Sequence, residues 1–233
     1  TMIIESIITA GMEELDGDIL VIAQKIVSKS EDQYVDLTSI SPSFKAQNLA
    51  KLVDKDPRLV EVILSESNEI VRYSPGVLIV AHRLGYVMAN AGVDASNLEP
   101  TSKGGERVLL LPQDPNSTCV SLRNRFEKQF NRRIGVIVSD SVGRAWRNGS
   151  IGMALGVAGP PALWDRVGEI DLYGRPLRIT QIGFADQIAS AAALVMGEGA
   201  EGLPVIKVSG LNWNPVETNA DILLRSKEED LFR

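Results

Sequence analysis

An α+β fold, with mixed β-sheets and flanking helices, is what the sequence predicts, and three observations predict it. Two short, uninterrupted apolar runs, Ile19 to Ala23 and Ile134 to Val138, are β-branched and bounded by polar residues, as suits strands buried on both faces. A third stretch, Val77 to Ala81 and Tyr86 to Ala89 joined through Arg83-Leu84-Gly85, has the short glycine-containing connection of a β-hairpin. Helix signals lie between these strands. Ser41-Pro42, Asp56-Pro57 and Asp114-Pro115 each set a capping residue before proline.

Taken in order, Asp16-Gly17-Asp18 is a turn leading into the Ile19 to Ala23 strand, which ends in the polar cluster Gln24, Lys25, Ser28, Lys29 and Ser30. Helices are predicted over Phe44, Leu49 and Leu52, then over Leu59, Val62, Ile63 and Glu66. The hairpin runs on into Asn90-Ala91-Gly92-Val93-Asp94-Ala95-Ser96-Asn97, and Pro100 to Arg107 reads as a polar loop. The helix opened by Asp114-Pro115 carries Leu122, Phe126 and Phe130 along one side and feeds the Ile134 strand. Asp171 to Pro176 is a turn between extended segments that end in Leu177 to Ile182. Alanine-rich Phe184 to Met196 is a helix stopped by glycine, Pro204 to Val208 a short strand, and Glu217 to Arg233 a solvated helix or turn.

The densest chemistry follows Val138. Ser139, Asp140, Ser141, Gly143, Arg144, Arg147 and Asn148 fall within one loop length at the end of a rigid strand, where sites often sit. The Gly/Ala-rich Gly149 to Gly159 lacks bulk and so admits a close neighbour. A plain Asp/Ser turn followed by tight packing fits the same residues equally well.

The totals narrow the function classes. With 233 residues, 44% hydrophobic and 23% charged, the composition is globular. A formal charge of −6 and no dense Lys/Arg stripe argue against nucleic acid as a partner. Cys119 is the single cysteine, which excludes an intrachain disulfide and a Cys-rich zinc site and points to a reducing cytoplasm. No apolar run reaches membrane length, and the first residues show no signal-peptide pattern, so a soluble cytoplasmic protein is expected.

Gly197, Gly199 and Gly202 match G-x-G-x-x-G, but the order here is helix, glycines, strand, the reverse of what dinucleotide binding requires. A helix C-cap and loop is the reading. Asp94, Asp140 and Glu198, with the Ser141 hydroxyl, each stand at the end of a predicted element and offer an all-oxygen set suited to Mg²⁺ or Mn²⁺ rather than zinc. Each is also an ordinary turn, cap or loop residue. His82 and the three tryptophans read as structural. P-loop, zincin and α/β-hydrolase motifs are absent.

Four blocks, SDSVGRAWRNG, NAGVDASN, DLYGRPLRIT and LVMGEGAEGLPV, together resemble the coenzyme F420-0:L-glutamate (γ-glutamyl) ligase family, from about Gly17 to the C-terminus. That resemblance implies a single family domain over residues 1–233, possible subdivision aside, and a GTP-consuming addition of L-glutamate to F420-0 with two divalent cations (Mn²⁺ or Mg²⁺) and K⁺. It implies that Asp94 and Asp140 hold one divalent ion, Ser141 and Glu198 a second. Asn97, Gln24, Lys25 and Lys29 would meet GTP, and Met196, Gly197, Glu198, Gly199, Ala200, Glu201, Gly202 and Leu203 would form the nucleotide loop. Lys29 is expected to stabilise phosphate oxygens, and Arg144 and Arg147 to grip a substrate phosphate or carboxylate bidentately, surface salt bridges being their other role. A homodimer is implied as well. By this resemblance the expectation is a chain without the family's usual opening strand and Gly-Ile/Leu-Pro-type loop, which bears on guanine specificity, and without a reductase-like extension. A non-catalytic nucleotide-binding relative and a ligase for another carboxylate stand as alternatives.

Overall fold

The structure is a computed structural model that describes residues 2–13, 15–99 and 106–232. Of the expected Pro100 to Arg107 loop, residues 100–105 lie outside the described residues, and Arg107 opens a short strand rather than closing a loop. An unforeseen helix, α1 (Met2–Thr9), opens the chain, followed by β1 (Ile19–Ala23) and α2 (Gln24–Ser30). After the three-residue β2 (Tyr34–Asp36) come α3 (Phe44–Val53) and α4 (Pro57–Ser65). The cap of α3 is Ser43, two residues past the expected Ser41, because the Ser43 hydroxyl is the one that accepts from Ala46 N–H. Asp56 caps α4 as expected, its carboxylate accepting from Arg58 N–H at 2.8 Å.

Three antiparallel strands, β3 (Ser67–Ser74), β4 (Val77–His82) and β5 (Val87–Ala89), form the next sheet. The expected hairpin is β4 and β5. Next come β6 (Arg107–Leu109), antiparallel to β2, and α5 (Pro115–Phe130), capped by Asp114. β7 (Gly135–Arg144) and β8 (Arg147–Ala158) overturn the expected loop, since the strand carries on through Asp140 and Ser141 and turns only at Ala145-Trp146. The chain ends through β9 (Leu163–Asp165), β10 (Gln181–Gly183), α6 (Phe184–Met196) and β11 (Val205–Val208), then a 3₁₀ turn at Ala220–Leu223 in the expected C-terminal segment. Among the described residues no helix is long and apolar enough to cross a membrane.

The chain divides into two compact units. Unit 1 comprises residues 1–24, 114–141 and 150–225. Its sheet has the order β11-β1-β7-β8, with β1 parallel to β7 and antiparallel to β11, so the sheet is mixed. Ile19, Val21 and Ile137 are fully buried beneath α6, which contributes Ala185, Ile188, Ala189 and Ala192. Small residues on both sides let helix and sheet approach closely. A Cβ on Gly152 would fall 2.3 Å from the Ala189 carbonyl oxygen, and one on Gly156 2.3 Å from that of Pro115. Lack of bulk in this stretch is therefore used for backbone packing. Trp213 is buried at its rim and donates its indole N–H to Gly17 O at 2.8 Å.

Unit 2 comprises residues 25–113, 142–149 and 226–233. Helices α3 and α4 pack Ala46, Leu49, Val53, Val60 and Ile63 against Leu78 and Val80 of the three-stranded sheet. A second cluster joins Leu37, Val62 and Val108. His82, read as structural, is wholly buried, accepting at Nδ1 from Leu84 N–H with Nε2 3.4 Å from Glu66.

Candidate functional site

In unit 1 the residues singled out from sequence lie around the place where β1 ends beside β7. Parallel pairing puts Ala23 of β1 beside Ser139 of β7, so β1 ends where β7 runs on unpaired to it through Asp140 and Ser141. Asp140 is half-buried and Ser141, one residue on, is exposed. Helix α6 delivers the third group. It ends at Gly197, whose φ of +70° is a conformation other side chains rarely adopt, and where a Cβ would strike the Glu201 carboxyl group. Glu201 in turn accepts from Gly199 N–H at 2.8 Å, which closes the loop and turns Glu198 toward the strands. Ser141 Oγ donates to Glu198 Oε2 at 2.8 Å, and Ser150 Oγ, on β8, lies 3.4 Å from Oε1. The family resemblance implies Ser141 and Glu198 as one ligand pair, and the fold brings the two side chains together across 57 residues. Sequence reading missed Ser150, which only the close seating of α6 on β8 makes a neighbour.

Unit 2 carries the second group. Asn90, Ala91 and Gly92 all have positive φ, of 54°, 53° and 68°, a left-handed turn held by burial of Ala91 in the core. This turn presents Asp94, whose backbone pairs with Leu109 and whose Oδ1 accepts from Ser96 N–H at 2.7 Å. Helix α2 reaches the same loop with two lysines one turn apart. Lys25 Nζ lies 2.6 Å from Asp94 Oδ2, 2.8 Å from Ser96 Oγ and 3.3 Å from Ser96 O, while Lys29 Nζ donates to Asn97 O at 2.8 Å. Burial works to raise the Asp94 pKa, but the Lys25 ammonium and the Ser96 donors outweigh it and hold the carboxyl below the usual range. Ser96, not singled out from sequence, was legible in retrospect as the partner of an Asx turn. Arg144 donates to Gly149 O at 2.9 Å, bracing its own hairpin, and Arg147 is exposed.

The chain matches the family model described as F420-0:Gamma-glutamyl ligase over residues 1–210. The chain belongs to that family. A protein of Methanocaldococcus jannaschii named coenzyme F420:L-glutamate ligase is 46% identical over 94% of this chain and 85% of its own length. Proteins with the same name from Methanothermobacter thermautotrophicus and Archaeoglobus fulgidus are 42% identical over 100% of this chain and 91% of theirs, and 40% identical over 94% and 85%. This F420-0:γ-glutamyl ligase family member is therefore of a ligase family, and the family match begins at residue 1, ahead of the likeness read from about Gly17.

The donor atoms fit a hard cation. Among the described residues no group of three or more His, Cys, Asp or Glu forms a metal cage. Mg²⁺ or Mn²⁺ in phosphate-handling enzymes needs none, because one or two carboxylates suffice when water and phosphate oxygens complete the shell. At Asp94 a cation already sits among oxygens, since the Lys25 ammonium is ringed by carboxylate, hydroxyl and carbonyl. Glu198 and Ser141 supply a second all-oxygen pair.

Proposed function

We propose that this protein is a GTP-dependent ligase that joins L-glutamate to the carboxylate of coenzyme F420-0. The identity of 46% with a coenzyme F420:L-glutamate ligase over nearly the whole chain carries this reading. Oxygen-rich groups at Ser141/Glu198 and Asp94/Ser96, with lysines beside the latter, support it chemically.

A free carboxylate is a poor acyl donor, so the reaction needs activation. An F420-0 carboxylate oxygen attacks the γ-phosphorus of GTP, the bond to the GDP oxygen breaks, and an acyl phosphate results. The glutamate amine then attacks the acyl carbon, loses a proton and expels phosphate. Asp94, Asp140, Ser141 and Glu198 would hold two divalent cations, which would neutralise charge developing on the transferred phosphoryl group. Lys29 and Lys25 bind phosphate oxygens, Asn97 and residues 196–203 hold the nucleotide, and Arg144 and Arg147 grip phosphate or glutamate carboxylates through paired N–H donors. K⁺ joins this set.

The chain acts as a homodimer. The arm between β9 and β10 supports that, because Leu172, Tyr173 and Ile179 are 99%, 83% and 89% exposed. Sedimentation should give about twice the chain mass, and a monomer at assay concentration would remove the dimer.

Purified protein incubated with F420-0, L-glutamate, GTP and Mn²⁺ should yield F420-0 heavier by one glutamyl residue, with GDP and phosphate. GTP binding without product contradicts the ligase reading, and product only with another acid contradicts F420-0 as the substrate. Asp140→Ala should stay folded yet lose metal-dependent GTP turnover.

A further inference from the structure

Asp94 meets an incoming cation with both oxygens already engaged, Oδ1 accepting from Ser96 N–H at 2.7 Å and Oδ2 from the Ser96 hydroxyl at 2.9 Å. Its Oδ2 is 2.6 Å from Lys25 Nζ, on the side where Ser96 Oγ and Ser96 O complete the ammonium's surroundings. A divalent ion bound to the same oxygen at about 2.1 Å would stand within a few ångströms of that ammonium, and the two positive charges repel strongly in a half-buried loop. Both cannot stay.

We infer that Lys25 is the resident counter-cation of Asp94 in the nucleotide-free protein, and that nucleotide phosphate draws it off, opening Asp94 to the divalent cation. This rests on the proposed nucleotide binding. Lysine suits an exchange of this kind, being a point charge on a flexible four-carbon stem whose donors turn readily to another anion. Arg would hold its carboxylate through a fixed fork. The loop survives the exchange because Lys29, one helical turn further along α2, anchors it through the neutral Asn97 carbonyl rather than through the carboxylate. Lys29 keeps one of its three N–H donors on that carbonyl and has two left for phosphate, whereas Lys25 gives up the carboxylate. Nucleotide and metal then bind cooperatively, each favouring the state in which Lys25 has left Asp94.

The test titrates Mn²⁺ into the whole protein without nucleotide, reading free Mn²⁺ by electron paramagnetic resonance. Lys25→Gln keeps a hydrogen-bonding stem and removes the charge. It should bind Mn²⁺ roughly three- to tenfold more tightly than wild type, the size of a removed, partly screened ion pair. Lys25→Arg should bind no more tightly than wild type. In wild type GTP should tighten Mn²⁺ binding, and in Lys25→Gln that enhancement should shrink. Unchanged or weaker Mn²⁺ affinity in Lys25→Gln, with wild-type circular dichroism, overturns the exchange. So does a wild-type Mn²⁺ affinity that GTP leaves unaltered. A Lys25→Gln gain in Mn²⁺ affinity in a protein that makes no glutamyl product would sustain the competition at Asp94 while removing the ligase reading, so the two failures are separable.

Discussion

Replacing Gly152 with alanine would put a methyl carbon 2.3 Å from Ala189 O, 2.5 Å from its carbonyl carbon and 2.8 Å from Ser190 N. All three are backbone atoms in the middle of α6, so no side chain can swing aside. Relief requires the helix to retreat by roughly 1 Å, toward ordinary carbon–oxygen contact. That retreat loosens Ile188, Ala189 and Ala192 over the sheet and stretches the 2.8 Å bond from Ser190 Oγ to Gly152 O. Overpacking of this kind costs about 1–3 kcal/mol, and the rigidity of the obstacle puts Gly152→Ala near the upper end. For a chain of this length roughly 3 kcal/mol lowers the Tm by about 6–12 °C. Because Glu198 leaves α6 two residues past its end, the Ser141–Glu198 contact should shift too, and ligase activity should fall further than stability alone explains. The assay is thermal unfolding by circular dichroism, with Gly143→Ala, whose Cβ would meet nothing within 4 Å, as control. A Gly152→Ala protein that melts with the control would refute the close helix–sheet approach.

Other outcomes follow from single contacts. Asp114→Ala should cost about 1 kcal/mol by uncapping α5. Its carboxyl is held below the usual range by the Ser117 hydroxyl and N–H, so the capping contribution is present above the ordinary aspartate pKa and is lost as pH falls through the lower folded value. The difference between Asp114→Ala and wild type should therefore shrink in acid, and a difference constant down to strongly acidic pH would contradict it. Trp213→Phe should lose about 1 kcal/mol in chemical denaturation, since it leaves Gly17 O without its indole donor. Glu198→Gln should keep the wild-type melting curve while product formation drops by at least about a hundredfold, the scale of lost charge stabilisation at a transition state; retained activity would remove Glu198 from the site.

Much of this fold was legible where local chemistry agrees with tertiary burial. Ile19 to Ala23 and Ile134 to Val138 are apolar throughout because both faces are covered, and Asp56-Pro57 and Asp114-Pro115 cap helices as their chemistry dictates. β3 was not legible because SNEIVRYS exposes much of its length and bulges twice, which erases strict alternation. β2 and β6 are three residues each and exist through pairing with one another. Polar Ser139 to Arg144 resembled a loop because a strand's exposed end carries the same residues as one. In unit 1, Glu198 beside Ser141 was anticipated by family resemblance, whereas Ser150 there and the Lys25–Asp94 contact within unit 2 depend on chain crossings no local pattern encodes.

The most direct test of the proposed ligase chemistry uses F420-0 labelled with heavy oxygen in its carboxylate. If that carboxylate attacks GTP and is then displaced by glutamate, each glutamyl amide formed should be matched by one labelled oxygen in the released phosphate. Unlabelled phosphate accompanying product would contradict the acyl phosphate, and no glutamyl product at all would contradict the function.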